Sequence, residues 1–312
     1  MGSDDSSYTE NKEASLKLRG YAEEIASAVP KLLVSAQTAA SSVMAGEHAL
    51  KRVGHGQNFW QFREYDIHDR PQDIDWRQSA KSDRVFVREK EHQSLQTLVL
   101  WADSNEGMRW ASQQNLHTKR QIAEIIVLAL AVVAVDNGEI FSHISETGKT
   151  GRSTRALENF AALLAGQSLG IETNLTFQKL QEARLKRRSI PVLASDFFVP
   201  FEDFDQGIAR MAERSKTGLI AQILDPAEIS LPYTGRVRFF SPDKADAEMV
   251  ENVAEVRKEY QKRMDAHCNE IQKLTEHYGW HYFKISSDTS LTPIIREMWS
   301  VVTENIVNSP RI

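Results

Sequence analysis

Residues 97–103 read TLVLWAD and residues 189–196 read SIPVLASD, two short apolar runs that each end in an aspartate. From Thr97 onward, such runs alternate with longer amphipathic segments, a pattern typical of strands joined by helices. Because parallel strands need crossover connections, this order predicts helices on both faces of a mostly parallel sheet. We therefore expect residues 95–312 to form a doubly wound α/β domain.

Six strands and five helices are predicted in this part of the chain from the alternation of apolar runs and amphipathic segments. The strands are expected at Thr97–Ala102, Glu139–Ile144, Ile190–Ser195, Leu219–Leu224, Val237–Phe240 and His281–Ile285. The helices are expected at Thr118–Val135, Ser153–Ala165, Asp205–Lys216, Ala245–His277 and Thr292–Asn305.

The chain before residue 95 follows a different pattern. Residues 1–14 are expected to be a disordered leader, and residues 15–94 an N-terminal helical and irregular extension. The stretch from about Ser15 to Gly46 is helix-prone and is interrupted by Pro30. The stretch from Asn58 to Lys90 is dense in aromatic and charged residues and has little regular periodicity.

Composition excludes several classes of protein. Of the 312 residues, 41% are hydrophobic, which excludes a wholly disordered chain. The net charge of -5 argues against a nucleic-acid partner. The longest apolar run, Ile125–Val135, is far shorter than the roughly 20 residues that span a bilayer, so direct membrane insertion is not expected. The single cysteine, Cys268, cannot form an internal disulfide, and a reducing cytoplasm is the expected setting.

The two aspartates that follow the apolar runs are the first candidate site. Ligands of open parallel sheets bind beyond the carboxyl ends of the strands. If their strands are close in space, Asp103 and Asp196 converge there. Oxygen ligands of this kind suit Mg²⁺ or Mn²⁺. The alternative is that each aspartate only caps the helix that follows it by accepting backbone N–H bonds.

Several motifs, in order along the chain, extend beyond these two aspartates. They are Gly46-Glu47-His48, Gly54-His55-Gly56-Gln57-Asn58-Phe59, Arg63-Glu64-Tyr65, Ile74-Asp75-Trp76-Arg77-Gln78-Ser79-Ala80-Lys81, Val87-Arg88-Glu89, Ser195-Asp196 and Leu224-Asp225-Pro226-Ala227-Glu228. Together they closely resemble the signature of domain of unknown function 58, a family of bacterial proteins with a von Willebrand factor A-like domain. The resemblance covers nearly the whole chain from about residue 30 and implies a von Willebrand factor A-like α/β fold.

The resemblance also implies a metal site that is degenerate in this chain. In the family, the first strand usually ends in an Asp-x-Ser-x-Ser metal-ion-dependent adhesion motif. Here Asp103 keeps the acid, Asn105 replaces the first serine and Gly107 the second. Asp196 matches the last acid, and the threonine expected between the two acids falls near Ser153 or Thr154. The implied ligands of Mg²⁺ or Mn²⁺ are therefore Asp103, Asn105, Thr154 and Asp196.

The upstream signature has two interpretations. Its members are Arg63, Tyr65, Asp75, Trp76, Arg77, Ser79 and Arg88. They could form a buried hydrogen-bonded and cation–π cluster that locks this segment onto the sheet, which is the interpretation we favour. Alternatively they form a recognition surface, because Arg and Trp dominate interface hot spots.

Two functions are compatible with these residues. The first is a non-enzymatic interaction or adaptor protein without catalytic residues, and the resemblance implies a MoxR-type AAA+ ATPase as its partner in assembling or activating a protein complex. The alternative is a magnesium-dependent phosphohydrolase of the haloacid dehalogenase type, with Asp103 as nucleophile. That chemistry needs a second aspartate two residues on, where this chain has Asn105.

Overall fold

The computed structural model describes most of the chain from residue 97 onward and shorter stretches before it. The described residues are 28–41, 43, 59–65, 74, 76–81, 84–90, 97–114, 116–144, 150–168, 177–180, 185, 189–241 and 246–308. The strands are β1 (Phe59–Glu64), β2 (Phe86–Lys90), β3 (Thr97–Ala102), β4 (Ile140–His143), β5 (Thr150–Gly151), β6 (Ser189–Ser195), β7 (Leu219–Leu224), β8 (Val237–Phe240), β9 (Ala247–Val250) and β10 (His281–Ser286).

Helices occupy much of the remaining described chain. They are α1 (28–41), α2 (Trp76–Ser79), α3 (Lys119–Asp136), α4 (Thr154–Ser168), α5 (Phe177–Leu180), α6 (Phe201–Ala212), α7 (Pro226–Ser230), α8 (Val253–His277) and α9 (Leu291–Asn308). A 3₁₀ turn, Glu106–Arg109, follows β3. No described helix combines the length and the apolar character that crossing a membrane requires.

The chain divides into two compact units. One contains α1 and the chain from Gln96 to the end, and the other spans Met44–Leu95. The first unit is built on a six-stranded sheet with the strand order β10-β7-β6-β3-β4-β5, in which only β5 is antiparallel to its neighbour. Helices flank this sheet, so the predicted α/β class with a mostly parallel sheet is confirmed.

The central strands and the central helix owe their positions to largely apolar sequences. Five of the six residues of β3 are buried, as expected of a parallel strand covered on both faces. α3 is buried almost all round and packs against β3, β6, α4 and α9. Its start is fixed by a capping box, in which Thr118 and Gln121 each accept a hydrogen bond from the other's backbone N–H.

An aromatic core covers the opposite face of the sheet. Trp101 of β3 lies 6.2 Å from Phe177, measured between ring centroids, and Phe177 stacks on Phe204 of α6 at 5.7 Å. Phe197 meets both phenylalanine rings edge-on. This core anchors the turn that leaves β6, which is where the second candidate aspartate lies.

One predicted strand lies outside the central sheet. β8 forms at the predicted position, but it pairs with β9 in a separate antiparallel hairpin. The predicted helix Ala245–His277 was wrong at its start, because residues 247–250 are β9 and α8 begins at Val253. Asn252 caps α8 by accepting a hydrogen bond from the backbone N–H of Ala254, and this cap sets the helix start.

The second unit contains regular structure that the aromatic, charged sequence did not reveal. β1 and β2 pair in an antiparallel ladder, with Arg63 opposite Val87 and Phe62 opposite Arg88. The single-turn helix α2 lies between them in sequence. The predicted leader, residues 1–14, lies outside the described residues.

Candidate functional site at the carboxyl edge of the sheet

Asp103 and Asp196 leave the carboxyl ends of two neighbouring strands. β3 and β6 pair in parallel from Thr97 opposite Ser189 to Ala102 opposite Ala194, and the backbone N–H of Asp103 donates to the carbonyl of Ala194 at 2.8 Å. The chain passes from β3 to β4 on one side and returns to β6 on the other. The two aspartates therefore flank the position at which open α/β sheets bind their ligands.

The carboxylate of Asp103 is buried and fully hydrogen-bonded. Its side chain accepts bonds from the Ser195 hydroxyl at 2.7 Å, from the Asn105 backbone N–H at 3.0 Å and from the Asn105 amide at 2.9 Å. Burial raises the pKa of Asp103, and the nearby charge of Asp196 adds to the rise despite these hydrogen bonds. Asp103 is thus held as a structural acceptor.

Asp196 is paired with a lysine ammonium. The Nζ atom of Lys119, the first residue of α3, lies 2.8 Å from Oδ2 of Asp196 and 2.6 Å from Oε1 of Glu228. The Lys119 side chain is only 1% exposed. Burial alone would lower the pKa of Lys119, but the charges of Asp196 and Glu228 raise it above its ordinary value. The lysine therefore lies in this site as an ammonium.

Glu228 reaches the ammonium because a second capping box holds it there. Asp225, at the carboxyl end of β7, caps α7 by accepting from the backbone N–H of Ala227 at 2.8 Å. In return, the backbone N–H of Asp225 donates to Oε2 of Glu228 at 2.8 Å. The other carboxylate oxygen of Asp225 accepts from the backbone N–H of Ser112, which ties the loop after β3 to β7.

The turn after Asp196 directs neighbouring side chains in opposite directions. Phe197 has a φ of 55°, a left-handed conformation that is uncommon for a bulky residue, and its ring is fully buried. The next residue, Phe198, is 46% exposed and its ring lies 5.3 Å from the Nζ atom of Lys119. Strained backbone persists only where the surrounding packing and hydrogen bonds enforce it, and residues of this kind cluster at functional sites.

A second aromatic side chain is exposed on the loop that leaves the neighbouring strand. Trp110 follows the 3₁₀ turn after β3 and is 42% exposed. Trp110 and Phe198 thus belong to the loops that leave β3 and β6, and we call them the edge aromatics. The hydrogen-bonded and ion-paired groups at the same edge of the sheet, which we call the carboxyl-edge network, are Asp103, Asn105, Lys119, Ser195, Asp196, Asp225 and Glu228.

The residues expected to bind a metal do not come together in a form that fits one. Asp103 and Asp196 converge, but the side-chain oxygen of Asn105 accepts from the backbone N–H of Met108 and its amide faces Asp103. Gly107 offers no side chain. Within the described ranges, no group of three or more His, Cys, Asp or Glu residues could hold a metal ion.

Thr154 is not brought to this edge. β5 is antiparallel to β4, with Thr150 opposite Ser142 and Gly151 opposite Phe141, so the chain runs back toward the amino edge before α4 begins at Thr154. Arg152 accordingly lies beside Gly138, which precedes β4. A two-residue antiparallel strand leaves no periodic signal in the sequence, which is why the threonine was expected at the wrong edge.

The upstream signature residues lie in the second unit and do not all form a buried cluster. Trp76 is 68% exposed, Tyr65 is 36% exposed and Arg77 is also exposed. Ser79 has a structural part, since its hydroxyl accepts from the backbone N–H of Phe86 at 2.8 Å. Arg63 and Arg88 lie on β1 and β2, and Asp75 lies outside the described residues.

The exposure of Trp76 contradicts the expectation that this side chain is buried, whereas the favoured interpretation that the segment is locked onto the sheet stays a prediction. α2 is a single turn without a buried residue, so it cannot enclose the indole ring. The alternative, a recognition surface, is compatible with the exposed Trp76 and Arg77.

Among the network residues that sequence reasoning missed are Lys119 and Glu228, which form an ion pair. A detectable signal was present for each. Lys119 is a cation in the first turn of a helix, where the dipole disfavours positive charge, so acidic neighbours were to be expected. Glu228 stands three residues after Asp225 with Pro226 between them, the spacing of a capping box.

The comparisons with known proteins identify a family for this chain. No curated protein and no solved structure matches it. The family model described as "Protein of unknown function DUF58" matches residues 61–270, which is more than half of the chain and contains the whole carboxyl-edge network. The chain therefore belongs to the DUF58 family.

Proposed function

We propose that this chain is a non-enzymatic interaction protein that binds another protein at the carboxyl edge of its sheet. The observation that carries the proposal is that Trp110 and Phe198, the edge aromatics, are exposed on the loops that leave two neighbouring strands, and that Phe198 covers the ammonium of Lys119. Exposed large aromatic side chains on a rigid support are the usual centres of protein interfaces. The proposed partner is the MoxR-type AAA+ ATPase implied by the family resemblance, in the assembly or activation of a protein complex.

The phosphohydrolase alternative has less support. A nucleophilic carboxylate must be reachable, but Asp103 is 5% exposed and both of its oxygens accept hydrogen bonds from the protein. Asn105 stands where that chemistry needs an acid and donates its amide to Asp103. Turnover of p-nitrophenyl phosphate with Mg²⁺ that is lost in Asp103→Asn would favour the enzyme over the adaptor.

The adaptor proposal is tested by measuring binding of the purified full chain to the MoxR-type ATPase of the same bacterium. Trp110→Ala and Phe198→Ala are each expected to weaken binding by roughly tenfold or more, as truncation of an interface hot spot does. Phe240→Ala is the matched control, because Phe240 is also an exposed aromatic, 59% exposed, but lies on the β8–β9 hairpin.

Two outcomes would contradict the proposal. One is the absence of binding by the unmodified chain. The other is binding that depends on Phe240 and is unchanged by both substitutions at the carboxyl edge. Unchanged unfolding midpoints in the three variants would show that the comparison concerns binding rather than folding.

A further inference from the structure

We infer that the ammonium of Lys119 is the resident cation of the carboxyl edge and stands where a divalent cation would have to bind. It lies between the carboxylates of Asp196 and Glu228, at 2.8 Å and 2.6 Å. Those carboxylates come from the loop after β6 and from α7 after β7, whereas Lys119 begins α3. One internal positive charge therefore joins three segments that meet at this edge.

The described surroundings of the ammonium are occupied by two carboxylates and an aromatic ring. Two of its directions are taken by carboxylate oxygens and another by the ring of Phe198, whose centroid is 5.3 Å from Nζ. With 1% of its side chain exposed, Lys119 is desolvated and depends on these partners for its charge. A divalent ion at the same place would face the like charge of the ammonium.

Every carboxylate oxygen of the network already accepts a hydrogen bond from the protein. For Asp103 the donors are Asn105 and Ser195, and for Asp225 they are Ala227 and Ser112. The two oxygens of Asp196 accept from the backbone N–H of Phe198 and from the ammonium of Lys119. The two oxygens of Glu228 accept from the same ammonium and from the backbone N–H of Asp225. Mg²⁺ and Mn²⁺ need several such oxygens at once, so binding would require these bonds to break.

The position of Lys119 on its helix gives independent support. It is the first residue of α3, where the helix dipole places partial positive charge and disfavours a cation. Burial of an ammonium there is tolerated only because Asp196 and Glu228 neutralise it. Replacing the lysine with a short apolar residue would leave the buried Asp196 and the partly buried Glu228 facing the space that the ammonium occupied.

The test is titration of the purified full chain with MnCl₂ and with MgCl₂, followed by calorimetry and by the thermal unfolding midpoint. The unmodified chain is expected to release no binding heat and to keep its midpoint at millimolar metal. Lys119→Ala is expected to unfold at least about 6 °C lower and to regain part of that loss when Mn²⁺ is added. If Lys119→Ala does not fold alone, its refolding yield with and without Mn²⁺ is compared instead.

Arg120→Ala is the matched control. Arg120 is the next residue of α3 and forms a buried pair with Glu124 at 2.9 Å, so its loss also leaves a buried acid. Arg120 pairs with one carboxylate, whereas Lys119 pairs with two. Arg120→Ala should therefore lose stability without any response to Mn²⁺. Mn²⁺ binding by the unmodified chain that disappears in Asp196→Asn would overturn the inference. So would a Lys119→Ala variant that gains neither midpoint nor refolding yield from Mn²⁺.

Discussion

The ammonium nitrogen of Lys119 lies 2.8 Å from Oδ2 of Asp196, although 77 positions separate the two residues in the chain. The contact joins the start of the most buried helix to the end of a central strand. The carboxylates of Asp103 and Asp196, which the sequence predicts as metal ligands, therefore belong to a network of internal hydrogen bonds and ion pairs. The half-exposed ring of Phe198 lies over the ammonium of that network.

The strongest effect on stability is expected from breaking this buried pair. Lys119→Met leaves Asp196 and Glu228 without their counter-charge, and removal of one partner of a buried pair typically costs about 3–5 kcal/mol. Urea unfolding measures the loss as a lower free energy of unfolding. Arg263→Ala is the control, because its pair with Glu259 is exposed and should contribute less than about 1 kcal/mol. Equal losses in the two variants would argue against the buried network.

Asp225 is expected to matter more than an ordinary helix cap. Asp225→Ala removes the cap of α7 and the hydrogen bond to the backbone N–H of Ser112, and both donors are then left inside the protein. We expect a loss of about 2–3 kcal/mol in the free energy of unfolding. Asn252→Ala removes an exposed cap of α8 and an exposed hydrogen bond to Glu255, and should cost about 1 kcal/mol. A smaller loss for Asp225→Ala than for Asn252→Ala would contradict the double role.

His143 is expected to make stability depend on pH in the acidic range. Its ring is buried, and neither nitrogen has a hydrogen-bond partner in the part of the chain that the structure describes. Burial lowers the pKa of His143 from 6.5 to about 4. Between these values the unfolded chain takes up a proton that the folded protein does not, so stability falls as the pH falls through this window.

The substitution His143→Phe removes this titration and keeps a ring beside Phe160, which lies 5.5 Å away between centroids. The difference in free energy of unfolding between this variant and the unmodified chain should increase in favour of the variant as the pH is lowered from 7 toward 4. His281→Gln, an exposed change on β10, should leave the pH dependence as it was. Parallel stability curves for His143→Phe and the unmodified chain would show that His143 is not the source.

Gly218 is expected to tolerate no side chain. A Cβ atom there would overlap the indole ring of Trp280, which is itself fixed by a hydrogen bond from its Nε1 to the carbonyl of Ser215 at 3.1 Å. Gly218→Ala should therefore cost about 1–3 kcal/mol through overpacking next to β7. Adding Trp280→Leu should recover part of this cost in a double-mutant cycle, and strict additivity of the two changes would refute the predicted overlap.

The sequence predicted the sheet well because its strands are buried on both faces. Thr97–Ala102 and Leu219–Leu224 are apolar except at Thr97 and Gln222, and the predicted bounds are those of β3 and β7. The convergence of Asp103 and Asp196 followed from the same pattern, since parallel neighbours end at one edge. These features depend on local apolar runs and on a general rule of topology.

The rest of the site depends on contacts that local patterns do not encode. Thr154 was misplaced because β5 reverses the chain within two residues. The pairing of Lys119 with Glu228 spans 109 positions and joins two helix starts. Trp76 was expected in a buried cluster, but a single helical turn leaves it exposed. In each case the outcome is set by tertiary neighbours rather than by the residue's own segment.

Hydrogen–deuterium exchange of the full chain, with and without the saturating MoxR-type ATPase, tests the proposed docking surface most directly. If the ATPase docks at the carboxyl edge, its presence should slow exchange in residues 103–114 and 196–200, the loops that carry Trp110 and Phe198. It predicts no change in the β8–β9 hairpin. Protection confined to that hairpin or to residues 76–81, with the two edge loops unchanged, would contradict it.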